Sequence, residues 1–95
     1  MKDVPVEFPG SELVSAGLVD LAEGRESEAS LLVSMAAPRL RALGFAVPVS
    51  RQERPSHRLY ELVAERDGGA HSRYNALVAR IVSFARAAEC DAASG

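Results

Sequence analysis

Two residue types that together can cleave RNA lie close to each other in the sequence. Arg66 and His71 are separated by four residues, and Tyr74 follows three positions later. An arginine can hold a phosphate while a nearby histidine moves a proton, which is the minimal set for cleavage assisted by the ribose hydroxyl. In the favoured interpretation, however, Arg66 interacts with the carboxyl end of one helix and His71 lies in the first turn of the next.

This spacing resembles the Arg-x4–6-His motif of HEPN-domain ribonucleases, which are small helical bundles that act as dimers and often pair with nucleotidyltransferase antitoxins. The similarity covers nine residues, from Arg66 to Tyr74. It implies that Arg66 and His71 are catalytic, that Tyr74 assists them and that cleavage is independent of metal. Gly68 and Gly69 stand where that family has a helical, partly apolar stretch, and Tyr74 is one residue later than its usual companion.

Three further arginines are candidates for an interface or a ligand site. Arg73 and Arg80 are a heptad apart and lie beside Phe84 on one edge of an apolar helical arc. Basic residues beside an aromatic ring can bind RNA or a nucleotide by stacking, although a solvated flank or intermolecular salt bridges are favoured here. Arg39 falls near the middle of another apolar arc. A charge at this position needs a polar environment. Either Pro38 rotates the last turn of the helix so that Arg39 reaches solvent, or Arg39 pairs with an acidic residue of the first helix, or it contacts a ligand.

The sequence lacks the residue patterns that metal sites, phosphate-binding loops and serine hydrolases usually require. The soft or nitrogen ligands are His57, His71 and Cys90, and no HxxxH, CxxC or HExxH spacing occurs. The seven glycines are scattered, and no GxSxG elbow is present. The sequence therefore predicts neither a metal site nor a cofactor.

Charge is distributed unevenly along the chain, although the formal net charge is only −2. Residues 1–38 carry a net −5, residues 39–58 a net +4 and residues 59–95 a net −1. Such a division fits internal pairing, which we favour, or head-to-tail association, or a small anionic-ligand site. The basic part includes a loop from Arg51 to Arg58 that could bind a nucleotide or RNA.

Length and composition predict one soluble domain that covers residues 1–95. No apolar run approaches the roughly 20 residues needed to cross a bilayer, and the amino terminus lacks the features of a signal peptide. The single cysteine, Cys90, cannot form an internal disulfide, which is typical of a reducing compartment. We therefore expect a cytoplasmic protein.

The residue pattern predicts an all-α fold, a compact four-helix bundle. Ser11 and Ser27 are suitable N-caps, and Gly24 and Gly44 suit helix ends. The second helix is apolar over a broad arc, as expected of a central helix. The predicted segments are an extended arm over 1–10, helices over about 11–23, 28–43 (kinked at Pro38), 56–67 and 71–89, a connection over 45–55, and a frayed tail over 91–95.

These features favour a non-enzymatic module that associates with itself, as a homodimer, or with another protein. The second and fourth helices carry more apolar surface than one small core requires, so we expect their Leu and Val faces to form the interface. The interface or ligand candidates are Arg39, Arg73, Arg80 and Phe84.

Two alternatives stay open. One is a HEPN-like, toxin-type ribonuclease that uses Arg66, His71 and Tyr74. The other is a nucleotide or RNA binder that uses the Arg51–Arg58 loop, and we favour RNA and nucleotides less than a protein partner. Recognition of double-stranded DNA is not predicted, because Glu61 and Glu65 on the third predicted helix would repel phosphate.

Overall fold

The computed structural model describes residues 4–49, 52–66 and 68–94, and for Ser94 the backbone alone. Within these residues the chain is all-helical, which confirms the predicted fold class. None of the described helices combines the length and the apolarity that a bilayer-spanning segment needs. The helices are α1 (Ser11–Ala22), α2 (Glu28–Met35), α3 (Ala37–Ala42), α4 (Pro55–Arg66) and α5 (Ala70–Ser94).

The predicted second helix is interrupted rather than kinked. α2 ends at Met35, Ala36 leaves helical geometry with φ −94° and ψ 5°, and α3 begins at Ala37. Pro38 then lies in the first turn of α3, where its missing N–H costs nothing. The proline therefore starts a new helix, and the described part of the chain has five helices instead of the four that the sequence predicts.

The last helix is longer than predicted. α5 begins at Ala70 and runs to Ser94, and so includes the described part of the segment 91–95, for which the sequence predicted a frayed tail. No glycine or proline occurs between Ala70 and Ser94, and alanine is the best helix former, so nothing in this stretch ends the helix. Gly95, like Asp67 at the predicted end of the third helix, lies outside the described residues.

The described part of the predicted extended arm consists of turns. The backbone N–H of Phe8 donates to the carbonyl of Pro5 at 3.3 Å, and the N–H of Ser11 donates to the carbonyl of Phe8 at 3.2 Å. Gly10, with φ +77°, is the N-cap of α1, so the predicted cap Ser11 is the first helical residue. Ser11 instead donates its hydroxyl to the carbonyl of Val6 at 3.0 Å, which holds the turns against α1.

α2 is the central helix, as its broad apolar arc predicts. Three consecutive residues, Leu31, Leu32 and Val33, are buried, so neighbours cover α2 on several sides. α1 and α4 pack against α2, and α5 packs against α4. Ser27 caps α2 as predicted, in a reciprocal capping box with Ser30.

α1 and α2 approach each other closely at Gly17. A Cβ atom at this position would lie 2.4 Å from the carbonyl oxygen of Ala29 and 2.4 Å from Cγ2 of Val33. Both distances are far below van der Waals contact, so only glycine lets these two helices approach so closely.

We expect Gly17→Ala to lower the free energy of unfolding by about 1–3 kcal/mol, the usual cost of overpacking a core. Urea denaturation followed by circular dichroism measures the change. The matched control is Gly68→Ala, because a Cβ at Gly68 would meet no atom within 4 Å. Equal stability of the two variants would contradict the close α1–α2 contact.

Candidate functional site

Two of the predicted interface arginines form ion pairs within the chain. Arg73 in α5 donates to Glu28 at the start of α2, with 2.8 Å between Nη2 and Oε2. One heptad further along α5, Arg80 pairs with Glu12 in the first turn of α1. The acidic amino-terminal third is thus tied to α5, whereas the charge distribution suggested pairing with the basic residues 39–58.

Arg39, the third predicted interface arginine, also forms an ion pair within the chain. It donates two hydrogen bonds of 2.6 Å to the carboxylate of Glu89 in α5. From the sequence, Arg39 was expected to reach solvent, to pair with an acidic residue of the first helix or to contact a ligand. In the structure its partner is instead Glu89, a residue of α5. This bidentate pair holds the pKa of the Glu89 carboxyl below its ordinary value and raises the pKa of Arg39.

Arg58, which the sequence placed in a basic loop, lies in the first turn of α4 and also contacts the acidic segment. Arg58 donates to Glu26 in the α1–α2 turn at 2.8 Å, and this hydrogen bond, together with the attraction of the Glu26 charge, raises the pKa of Arg58. Arg51 lies outside the described residues, and Arg54 is exposed. The pairing of Arg58 with Glu26 neutralises one of the cations predicted to bind a nucleotide or RNA.

Phe84 is a core residue, contrary to the prediction that it lies at an interface or ligand site. Its side chain is fully buried, with ring centroids 5.9 Å from Phe8 and 5.7 Å from Phe45. The amino-terminal turns carry Phe8 over α5, which the sequence pattern of α5 alone could not indicate. The main apolar side chains of α2 and α5, including Leu31, Leu32, Leu77 and Ile81, are buried in the same core.

The ribonuclease candidates lie around the junction of α4 and α5. Arg66 is the last residue of α4 and His71 the second of α5, and both are exposed. Nε2 of His71 lies 3.3 Å from the side-chain nitrogen of Asn75, one turn further along α5. Tyr74 packs its ring against Tyr60 of α4, with 5.5 Å between the centroids.

The contacts of Asn75 and Tyr60 were not predicted from the sequence. The i,i+4 spacing of His71 and Asn75 is a signal that could have identified the first contact. No such signal exists for Tyr60, because its contact with Tyr74 depends on how α4 packs against α5.

The larger cavity is a surface groove of about 730 Å³ beside α1 and α2, which we call the α1/α2 groove. Residues 21–26, at the end of α1 and in the following turn, form one wall, and Pro48, Val49 and Gln52 of the α3–α4 connection form another. Ser30, Leu31 and Ser34 of α2 also line it. The sequence predicted the connection over 45–55, but it gave no sign that α1 would face it.

Hydrogen bonds fix the turn that forms the first wall of the groove. Asp20 accepts from the hydroxyl of Ser27 at 2.6 Å and from Nη2 of Arg25 at 2.9 Å. These two donors hold the pKa of Asp20 below its ordinary value. Arg25 also forms an ion pair with Glu23, so the wall carries charges of both signs in a fixed arrangement.

A smaller cavity of about 490 Å³ lies along α5 between Arg73 and Arg80. Ser72, Ala76 and Leu77 also line it. Both arginines are paired with carboxylates of α1 and α2, so an anion in this cavity would have to displace Glu12 or Glu28. Among the described residues no group of histidine, cysteine and acidic side chains could hold a metal ion.

Comparisons with protein-family models, with curated proteins and with solved structures return no match to this chain.

We expect the Arg39–Glu89 pair to stabilise the fold in a pH-dependent manner. The pKa of Glu89 is lowered in the folded chain, so the contribution is complete above the ordinary value of about 4.5 and is lost as the pH falls through the folded value. Thermal unfolding of wild type and Glu89→Gln should therefore give a lower Tm for the variant at pH 7. The two curves should converge as the pH falls through the lowered pKa of Glu89 and the wild-type carboxylate is protonated.

The control is Glu7→Gln, which removes one negative charge from an exposed position in the amino-terminal turns. It should leave Tm at pH 7 nearly unchanged, because isolated surface charges contribute little. A Tm difference between wild type and Glu89→Gln that does not shrink as the pH is lowered into the acid range would contradict the role of the ion pair.

Proposed function

We propose that this protein is a non-enzymatic helical interaction module that binds an apolar segment of a protein chain in the α1/α2 groove. The observation that carries the proposal is the lining of the groove, where Leu21, Pro48 and Val49 lie beside polar side chains and the charged side chains at the end of α1. Protein interfaces commonly combine an apolar centre with a polar rim in this way. The class of function is the one that the sequence favours, but the proposed binding surface is a different one.

The change of surface follows from the contacts inside the chain. Arg39, Arg73 and Arg80 each hold a carboxylate of the same chain, and Phe84 is buried. The apolar residues of α2 and α5 that suggested an interface are used by the core. Val49, in contrast, is 88% exposed at the edge of the groove. An exposed apolar side chain beside a groove with a mixed polar and apolar lining favours contact with a partner.

A cytoplasmic location belongs to the same proposal. Cys90, the single cysteine of the chain, is exposed on α5. An exposed thiol is best tolerated where the environment keeps it reduced, so its chemistry supports a reducing compartment.

A second candidate function is metal-independent RNA cleavage at the junction of α4 and α5. The observation that favours it is the contact between His71 and Asn75, which orients an exposed imidazole beside Tyr74. A general acid or base must be both accessible and oriented, and His71 meets these two requirements. Arg66, exposed at the end of α4, is the residue that would hold the phosphate.

The groove proposal predicts saturable binding of a neutral apolar dye such as Nile red at low protein concentration. Ala22→Lys puts a charge on an exposed residue that lines the groove, and we expect it to weaken binding of the dye by roughly tenfold. Fluorescence titration measures this effect. Ala16→Lys, at an exposed position of α1 outside the groove lining, is the matched control and should bind like wild type.

Equal binding by the two lysine variants would show that the dye does not occupy the groove. A wild-type protein that binds no dye would remove the main support for an apolar partner. Circular dichroism spectra of both variants should match that of wild type, because each altered residue is exposed.

The ribonuclease candidate predicts cleavage of single-stranded RNA in the presence of a chelator. His71→Ala should reduce the rate by about 100-fold or more, because general acid–base catalysis typically contributes at least that much. The matched control is His57→Ala, at an exposed histidine of α4, which should keep full activity. An inactive wild-type protein, or full activity of His71→Ala, would exclude this candidate.

A further inference from the structure

The aromatic residues of the chain fall into two groups with different surroundings. Phe84 is buried in the core and contacts Phe8 and Phe45. The two tyrosines contact each other instead, where α4 packs against α5, and Tyr60 remains 41% exposed. We propose that Tyr60 binds a base of single-stranded RNA, which stacks on the exposed part of its ring. This inference rests on the second candidate function, RNA cleavage at the junction of α4 and α5, and names the residue that holds the substrate.

The contact with Tyr74 holds the ring of Tyr60 in a defined orientation. The ring centroids are 5.5 Å apart and the ring planes are inclined by 61°, which is an edge-to-face arrangement. In this arrangement one ring presents its edge and the other its face, so neither ring covers both faces of its neighbour. The exposed part of the Tyr60 ring therefore offers an oriented aromatic surface, and every base has a π face that can stack on it.

Tyr60 lies beside the side of α5 that carries His71, the catalytic histidine of this candidate function. Tyr74, which contacts Tyr60, is three residues from His71, and residues at this spacing are neighbours on one side of a helix. His71 and Asn75 are exposed, and their nitrogen and oxygen atoms can hydrogen-bond a base or a ribose. A base is bonded directly to its ribose, so a base stacked on Tyr60 brings the ribose towards His71.

Two carboxylates of α4 are drawn towards a different side of the helix. The Oε1 atoms of Glu61 and Glu65 lie 4.0 Å and 3.8 Å from Nη1 of Arg58. Arg58 and Tyr60 are two residues apart, about 200° around the helix, so they do not share a face. An RNA strand on Tyr60 therefore approaches α4 away from this acidic cluster. The exposed Arg66 at the end of α4 supplies a positive charge for a phosphate of the strand.

The ligand is a single strand rather than a duplex. In a duplex the neighbouring base pairs cover the faces of each base, whereas an unpaired base can be splayed out onto an aromatic side chain. This requirement agrees with the sequence, which does not predict recognition of double-stranded DNA. The ribose hydroxyl that assists RNA cleavage is also absent from DNA.

The test measures binding of a dye-labelled 2′-O-methyl oligonucleotide of about eight nucleotides by fluorescence anisotropy. Its blocked 2′ hydroxyl cannot attack the phosphate, so binding is measured without cleavage. Tyr60→Leu should raise the dissociation constant roughly tenfold, because it removes the ring on which the base stacks. Tyr60→Phe keeps the ring and should retain most of the affinity. Val19→Ala, at an exposed apolar position of α1, is the neutral control and should bind like wild type.

The tyrosines provide a second signal that reports from the site itself. The chain has two tyrosines and no tryptophan, so its intrinsic fluorescence comes from Tyr60 and Tyr74. An unlabelled 2′-O-methyl oligonucleotide should quench this emission in wild type, after correction for its absorbance, as the bound fraction rises. Binding that leaves the emission unchanged would show that the strand lies elsewhere on the protein and would overturn the inference.

Binding and cleavage are decided separately. A wild-type protein that binds no oligonucleotide would overturn the inference, as would equal binding by Tyr60→Leu and Tyr60→Phe. Binding that depends on the ring of Tyr60, without cleavage of unmodified RNA, would exclude the ribonuclease candidate and support Tyr60 as a residue that binds single-stranded RNA. Cleavage and binding that Tyr60→Leu leaves unchanged would support the enzyme and overturn the role of Tyr60.

Discussion

The contact between α1 and α2 at Gly17 is the constraint on which the rest of the fold depends. Because no side chain separates the two helices there, α1 lies directly on the backbone of α2 at Ala29. The chain between them is short, and its direction is fixed by the hydrogen bonds of Asp20 with Ser27 and Arg25. The same turn forms a wall of the α1/α2 groove, so the position of the candidate surface follows from the packing of two helices.

α5 takes part in a second constraint, which is electrostatic. Its residues Arg73, Arg80 and Glu89 reach α2, α1 and α3, respectively, through one ion pair each. Each pair is partly exposed and contributes little to the free energy of unfolding by itself. Together they define the position of α5, because all three ion pairs can form at once in only one placement of α5 against α1, α2 and α3. The acidic amino-terminal third thus has its counterpart within the chain.

The sequence was sufficient for features set by local rules. The all-α class, the cap at Ser27 and the central position of α2 follow from periodicity and capping, and the structure confirms them. The break before Pro38 was interpreted as a kink, because a proline inside a helical pattern and one at the start of a new helix look the same in sequence. The burial of Phe84 was missed because Phe8, far away in the chain, covers it. The groove was missed for the same reason, since its walls come from segments distant in sequence.

What a small protein can do is best judged from the groups that its own fold leaves unused. A guanidinium that already holds a carboxylate must lose that partner before it binds another anion, so the abundant arginines here say less about function than their number suggests. A valine in water has no such competing partner, and burying it in an apolar cavity releases the water around it. For Arg39, Arg73 and Arg80 the internal partner is present, and for Val49 the side chain is almost fully in solvent. This difference is the reason for proposing the groove, rather than the arginines of α3 and α5, as the interaction surface.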